Sequence, residues 1–242
     1  MRWRHAIIVG ASSGIGMEIA RQLAEQGTRV AVLARREEPL TALAAAFPDQ
    51  VLPFVHDVRN TGDVPELFGE VTRALGGLEL FVYAAGVMPA VQPDEFDFEK
   101  DQAIVETNVV GAMAWLDQAA TRFQAVGSGT IVGIGSVAGD RGRAGQPAYN
   151  ASKAALATFL EALRNRLDRK GVTVVTVKPG PVATDMTAGL NLKGAMPVDR
   201  AAAHILRKSR HPGEHYLSPV HRILFAAIRA VPGWLFRRIG PP

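Results

Sequence analysis

The chain has no cysteine, which excludes disulfides, thiolate catalysis and Cys-ligated metals and is compatible with a reducing cytosol. Aromatic residues are sparse at 7%, and they are not interleaved with the basic residues as a surface that stacks on bases would require. Nucleic acid is therefore not an expected partner, although the sequence pI is about 9.7. Long apolar runs are also missing. No stretch approaches the roughly 18 uncharged apolar residues of a spanning helix, and the run after Arg2 and Arg4 is too short for a signal-peptide core. A cytoplasmic location is the expectation. His211, His215 and His221 have their spacing broken by Pro212-Gly213, with only Glu214 nearby to complete a ligand set, so no metal is expected.

What is present is apolar material, 48% of 242 residues, enough to bury a large sheet on both faces. Strand-like runs occur at HAIIVG, RVAVLA, VLPFVH, LELFVYA, GTIVGIG and VTVVTV, separated by segments of helical length. The runs are almost continuously apolar, as parallel strands covered on both sides must be. Their alternation with helices implies right-handed crossovers. The expected fold is α/β, a doubly wound (Rossmann) parallel β-sheet with helices on both faces. No repeat, low-complexity run or proline-rich linker divides it, so one domain is expected over residues 1–218, with a tail over 219–242.

The first run leads into a glycine-rich turn and a helix, RHAIIVGASSGIGMEIARQLAEQG. Gly10, Gly14 and Gly16 have the spacing Gly-x-x-x-Gly-x-Gly, which permits a tight turn and a close backbone approach to a pyrophosphate at the helix N-terminus. Farther on, Tyr149 and Lys153 stand four apart in QPAYNASKAALATFL and share one helix face. A cation near a phenol favours the phenolate, so the pair reads as a proton donor whose tyrosine pKa the lysine lowers. YxxxK alone is a weak motif that ordinary helix surfaces also carry.

Together these features resemble the short-chain dehydrogenase/reductase family over residues 4–217. Gly10-Ala11-Ser12-Ser13-Gly14-Ile15-Gly16 looks like its cofactor turn, and Tyr149 with Lys153 like its catalytic pair. Asn108 in ETNVVG and Ser136 in IVGIGSVAG fall where the family carries its other two catalytic residues. Pro179, Gly180, Val182 and Thr184 in VKPGPVATDM match its nicotinamide segment. The resemblance implies hydride transfer between nicotinamide C4 and a carbonyl or alcohol carbon. Tyr149 would then be the general acid/base, Ser136 would orient the oxygen, Lys153 would hold the ribose, and Asn108 would anchor a water. Asp57 and Val58 match the positions beside the adenine, and Ala85-Gly86 those after the fourth strand. There the usual asparagine is Ala84, which implies some loss of local bracing.

Cofactor choice turns on the end of the second strand, where Arg35 and Arg36 replace the acid that would accept from a free ribose 2′-hydroxyl. An arginine fork pairs with a 2′-phosphate, so NADP(H) is preferred over NAD(H), with Arg35 the first choice for the contact. Residues 185–200 read as a substrate lid, with Met186, Leu190, Leu192 and Met196 closing over an apolar ligand. Met88, Pro89, Arg141, Arg143 and Gln146 read as further walls. The expected substrate is a hydrophobic carbonyl or alcohol. The alternatives are a non-catalytic dinucleotide-binding regulator of the same fold, or an imine or enone reductase using the same groups.

The tail stands apart in charge: residues 200–242 carry eight Lys or Arg against Glu214 alone. Val220, Ile223, Leu224, Ala227, Ile228 and Val231 form a helical stripe, with Phe225 off it, and Pro232-Gly233 should end that helix before Trp234, Leu235, Phe236 and Ile239. Three destinations compete for this segment: its own domain, a partner subunit, or a membrane surface. The resemblance implies a homodimer, or a homotetramer, built on the helices after Gln102 and around Tyr149.

Overall fold

In the computed structural model, which describes residues 3–92, 94–189 and 194–239, the six apolar runs become strands β1 (His5–Val9), β2 (Arg29–Ala34), β3 (Val51–Val55), β4 (Leu80–Tyr83), β5 (Gly129–Ile134) and β6 (Val172–Lys178). A seventh strand, β7 (Gly213–Tyr216), joins the edge beside β6. Sequence analysis missed it because GEHY carries no apolar run; at an edge, one face of a short strand can stay wet. All pairings are parallel in the order β3-β2-β1-β4-β5-β6-β7. Pro53 lies in β3, where an edge strand can spare one ladder N–H.

Alternate side chains of each strand serve opposite layers. Ala6 and Ile8 of β1 join a core with Ile19, Ala20 and Leu23 of α1 (Gly14–Glu25), Leu40 of α2 (Glu37–Ala46), and Ala201 and Ile205 of α7 (Val198–Lys208). Ile7 and Val9 join the other core, with Phe68 and Val71 of α3 (Val64–Leu75), Trp115 and Leu116 of α5 (Gly111–Val126), and Leu156 and Leu160 of α6 (Pro147–Leu167). This is the doubly wound arrangement. The strand order reverses at β1, whose neighbours are β2 on one side and β4 on the other, and a crevice opens at their carboxyl ends.

Two local departures from regular helix matter for the site. Helix α4 (Phe98–Val105), capped by the Asp97 carboxylate on Glu99 N and Lys100 N, runs into α5 through a π-turn over Glu106–Val110. Such a turn widens the helix by one residue and rotates its side chains, and Asn108 lies within it. At the other end, α8 (Pro219–Ala230) stops where Val231 becomes extended, and α9 (Gly233–Ile239) follows. Pro232-Gly233 breaks the helix as expected.

The tail packs on its own domain with most of the apolar stripe of α8 facing away from it. His221, Phe225 and Ile228 turn inward, whereas Val220, Ile223, Leu224 and Ala227 are exposed. The reason is charge and space. Arg229, one residue past Ile228, reaches the carboxylates of Asp140 (3.9 Å) and Glu214 (3.7 Å). Arg141 donates to Arg229 O (3.2 Å) and lies 4.7 Å over the Phe236 ring. The His221 ring fits against Gly180, where a Cβ would come within 2.1 Å of it. No described helix is long and apolar enough to cross a membrane.

Candidate active site

The glycine turn owes its shape to contacts that no side chain could survive. Gly10 has φ +90° and Gly14 φ +55°. A Cβ on Gly10 would sit 2.3 Å from Ala85 N, and one on Gly16 would sit 2.2 Å from Gly10 O. The backbone of Gly10 and Ala11 donates to Leu33 O (2.7 and 3.1 Å), which fixes the turn beside β2. Ser13, the N-cap of α1, makes no side-chain cap bond. The first-turn amides of α1, without intrahelical partners, thus border the crevice lined by Ser12, Ser13, Gly14, Ile15 and Gly16. Ala84, in place of the family asparagine, packs its methyl 3.2 Å from where a Gly16 Cβ would be.

Arg36 bends over this turn: its guanidinium donates to Ser13 Oγ (2.8 Å), Ser12 Oγ (3.1 Å) and Ser12 O (3.3 Å). Arg35 also lines the crevice. Neither arginine meets a carboxylate within ion-pair distance among the described residues, and the groups around the turn are therefore cationic and rich in hydrogen-bond donors. That chemistry fits the phosphates of a dinucleotide. Asp57 has a partner that the sequence reading did not include. Its carboxylate is gripped by Arg59, with Arg59 N donating to Oδ1 at 3.0 Å and Arg59 Nη2 to Oδ2 at 2.6 Å. That guanidinium holds Asp57 below the usual carboxylate range. Asp57 is not among the residues lining the crevice, whereas Val58 and the unforeseen His56 are. His56 is buried, its Nε2 has no partner, and it packs edge-on to Trp115 at 5.5 Å; burial lowers its pKa.

Deeper in, Ser136, Tyr149 and Lys153 converge with Ala85, Gly86, Pro179, Gly180, Val182 and Thr184 on the same crevice. Ser136 stands two residues past the end of β5, where its Oγ caps the next turn by accepting from Ala138 N at 3.0 Å. The Lys153 ammonium donates to Ile134 O (3.0 Å) and lies 5.7 Å from the Tyr149 ring centroid. Gly86 makes room for it, since a Cβ there would be 3.3 Å from Lys153 Nζ and 3.4 Å from Asn108 Oδ1. Asn108 is fully buried behind this floor: Oδ1 accepts from Val87 N (2.8 Å), and Nδ2 donates to Val87 O (3.1 Å) and Ser152 Oγ (3.1 Å). It braces the strand end and α6, and its side-chain donors are already spent.

The expected depression of the tyrosine pKa is not what the packing produces. Burial pushes the Tyr149 phenol up, opposed by the Ser136 hydroxyl beside it and by the charge of Arg143. Lys153 bears a desolvation cost as well and is pulled down to about 8. This carries a stability consequence with a definite sign. Below pH 8 the lysine is protonated both folded and unfolded, so the burial cost is fully present. It fades as pH rises from about 8 toward the ordinary 10.5. The shift corresponds to roughly 3 kcal/mol. Lys153→Met is expected to melt above the native chain at pH 7, with an advantage that shrinks by pH 10. Equal melting shifts at both pH values would refute the account.

The proposed lid is only partly visible. Met186 lines the crevice. Met196 does not close over it; it is bridged to Val182, with Ala183 N donating to Met196 O (2.9 Å) and Met196 N to Pro181 O (2.9 Å), and packs into the core. Leu190 and Leu192 lie outside the described residues. Of the other expected walls, Gln146 Nε2 reaches Pro89 O at 3.5 Å and Arg141 is engaged by the tail. Met88, Pro89, Arg141, Arg143 and Gln146 are all absent from the crevice lining. Val87, Thr107 and Gly135 line it unforeseen, and they share one property that could have marked them: each lies at, or packs on, the carboxyl end of a central strand.

A parallel sheet with a glycine turn at its switch point and a serine, a tyrosine and a lysine in the same crevice defines an α/β protein of the dinucleotide-binding oxidoreductase class. Comparison with known proteins narrows this. Residues 4–195 match the short-chain dehydrogenase family model, and the chain belongs to that family, whose members use nicotinamide cofactors. It is 39% identical over 194 residues, covering 79% of this chain and 77% of the relative, to an uncharacterized oxidoreductase of Myxococcus xanthus. It is 35% identical to the human 3-oxoacyl-[acyl-carrier-protein] reductase, over 80% of this chain and 83% of that protein. A Burkholderia cenocepacia short chain dehydrogenase in complex with NADP shares the fold at a TM-score of 0.86 and 22% identity, covering 100% of this chain and 99% of that one.

Proposed function

We propose that this chain is an NADP(H)-preferring oxidoreductase acting on the carbonyl or secondary alcohol of a hydrophobic small molecule, with Tyr149 as general acid/base. The observation that carries the reading is the convergence of Ser136, Tyr149 and Lys153 with the glycine turn on one crevice. The nicotinamide cofactor, when bound, supplies or accepts the hydride. Gly10 to Gly16 and the amides at the start of α1 would hold its pyrophosphate, Lys153 its nicotinamide ribose, and Pro179 to Thr184 the nicotinamide end. Tyr149 gives a proton to the substrate oxygen as negative charge develops there, and takes one in the reverse direction. A phenol held high by burial is protonated near neutral pH, which suits the reducing direction. Ser136 donates a hydrogen bond to the same oxygen and fixes its position.

Arg35 and Arg36, without carboxylate partners, favour a 2′-phosphate over a free 2′-hydroxyl. An assembly of two copies through α4, α5 and α6 agrees with the exposure of Phe98, Val105 and Val110 on that side. The test is a titration with NADPH and with NADH followed by nicotinamide fluorescence, and then a screen of apolar ketones, aldehydes and imines for cofactor oxidation. Tighter NADPH binding with turnover of a carbonyl is expected. Binding with no turnover of any class would favour the regulatory alternative, and absence of binding would overturn the proposal.

A further inference from the structure

The outer face of the tail belongs to nothing in the site. Val220 (69% exposed), Ile223 (74%) and Leu224 (49%) stand with Ala227 on the side of α8 away from the domain, and Trp234 of α9 is 58% exposed. Positions 220, 223, 224 and 227 have the spacing of a single helix face. The opposite side is fastened by Arg229 to Asp140 and Glu214 and by His221 to Gly180, so this apolar face is held outward. Residues 219–239 contain four arginines and no acid. Arg229 is met by carboxylates, but Arg222, Arg237 and Arg238 are exposed and have none within ion-pair distance among the described residues.

We propose that this face docks on an anionic lipid surface. Its apolar side chains would enter the boundary between headgroups and acyl chains, and the free arginines would supply the attraction. Helix α8 is about 10–12 Å across, comparable to a Debye length of ~8–10 Å. Charge on its far side therefore still acts on lipid phosphates. Both helices are short enough to lie along a surface, and a tryptophan at the rim suits the headgroup level. A second copy of the chain is the less fitting occupant. Four side chains offer only a few hundred Å², below the ~800 Å² per partner of a stable interface.

The test uses the full chain with vesicles of phosphatidylcholine alone and of phosphatidylcholine with one-third phosphatidylglycerol, read by co-sedimentation and tryptophan emission. The expected result is binding to the anionic vesicles, weakened by added salt, with a blue shift that Trp234→Phe removes. Ile223→Glu should lower the bound fraction on the order of tenfold while leaving the solution mass and the circular dichroism unchanged; Val220→Ser, a milder change, should lower it in the same direction. Failure of the native chain to bind anionic vesicles would overturn the proposal, as would undiminished binding by both variants. A fall in solution mass on Ile223→Glu would also overturn it, by making the face a subunit contact.

Discussion

Tyr149→Phe is expected to cut turnover by roughly 10²- to 10⁴-fold, the usual contribution of a positioned general acid, with NADPH affinity nearly unchanged. The substitution removes one oxygen and no volume elsewhere. Packing around the ring is set mainly by its burial on α6, and the Ser136 hydroxyl is the one neighbour that loses an interaction, so the ring should stay in place. It removes the proton that must reach the substrate oxygen, a loss felt in the transition state and not in cofactor binding. The split between kcat and cofactor affinity is therefore the diagnostic, read by steady-state turnover and by fluorescence titration of the same preparation. Near-normal turnover would remove Tyr149 from the chemistry. The companion Ser136→Ala should lose less, because Ser136 orients the oxygen without transferring the proton and already spends an acceptor on Ala138 N.

The central sheet and the glycine turn were legible in the sequence because each is dictated by something local. A strand covered on both faces has to be apolar throughout, and Gly10 and Gly16 have to lack side chains where backbone comes within 2.3 and 2.2 Å of the would-be Cβ. What was not legible depends on partners far away or on direction. Strand β7 is polar because it is a short edge strand, so its evidence is its neighbour β6 and not its own composition. The periodicity of α8 shows that a stripe exists, but not that Arg229 would find Asp140 and Glu214 and turn the stripe outward. Asp57 reads as an adenine acceptor, and nothing in its own position shows that Arg59, two residues on, also engages its carboxylate. His56 looks like the last residue of an apolar strand, although the carboxyl end of a parallel strand is where a crevice-lining side chain is to be sought. The pKa relation between Tyr149 and Lys153 was inverted because spacing on a helix says nothing of burial depth, and it is burial that moves both groups.

Charge reversal at the end of β2 is expected to invert cofactor preference. Both arginines line the crevice, but they differ in what they already hold: Arg36 spends its fork on Ser12 and Ser13, whereas Arg35 makes no side-chain hydrogen bond among the described residues and acts on Asp57 only through its charge. A free fork loses nothing when it turns to a phosphate, and a committed one must exchange neutral hydroxyl acceptors for a charged one, a net gain since charge-assisted bonds are the stronger. Each such bond contributes about 1.5–3 kcal/mol, or ~10- to 100-fold in affinity. Arg35→Asp should therefore lower the NADPH/NADH affinity ratio by at least ~10-fold, because the new carboxylate repels the 2′-phosphate and accepts from a 2′-hydroxyl. Arg36→Ala should lower the ratio less and also loosen both cofactors slightly, since it frees the serines of the glycine turn. The double variant should favour NADH. Fluorescence titration of the native chain and the three variants with both cofactors decides among these: a ratio unmoved by Arg35→Asp but collapsed by Arg36→Ala would transfer the phosphate contact to Arg36, and a ratio unmoved by either would show that the adenosine ribose lies elsewhere.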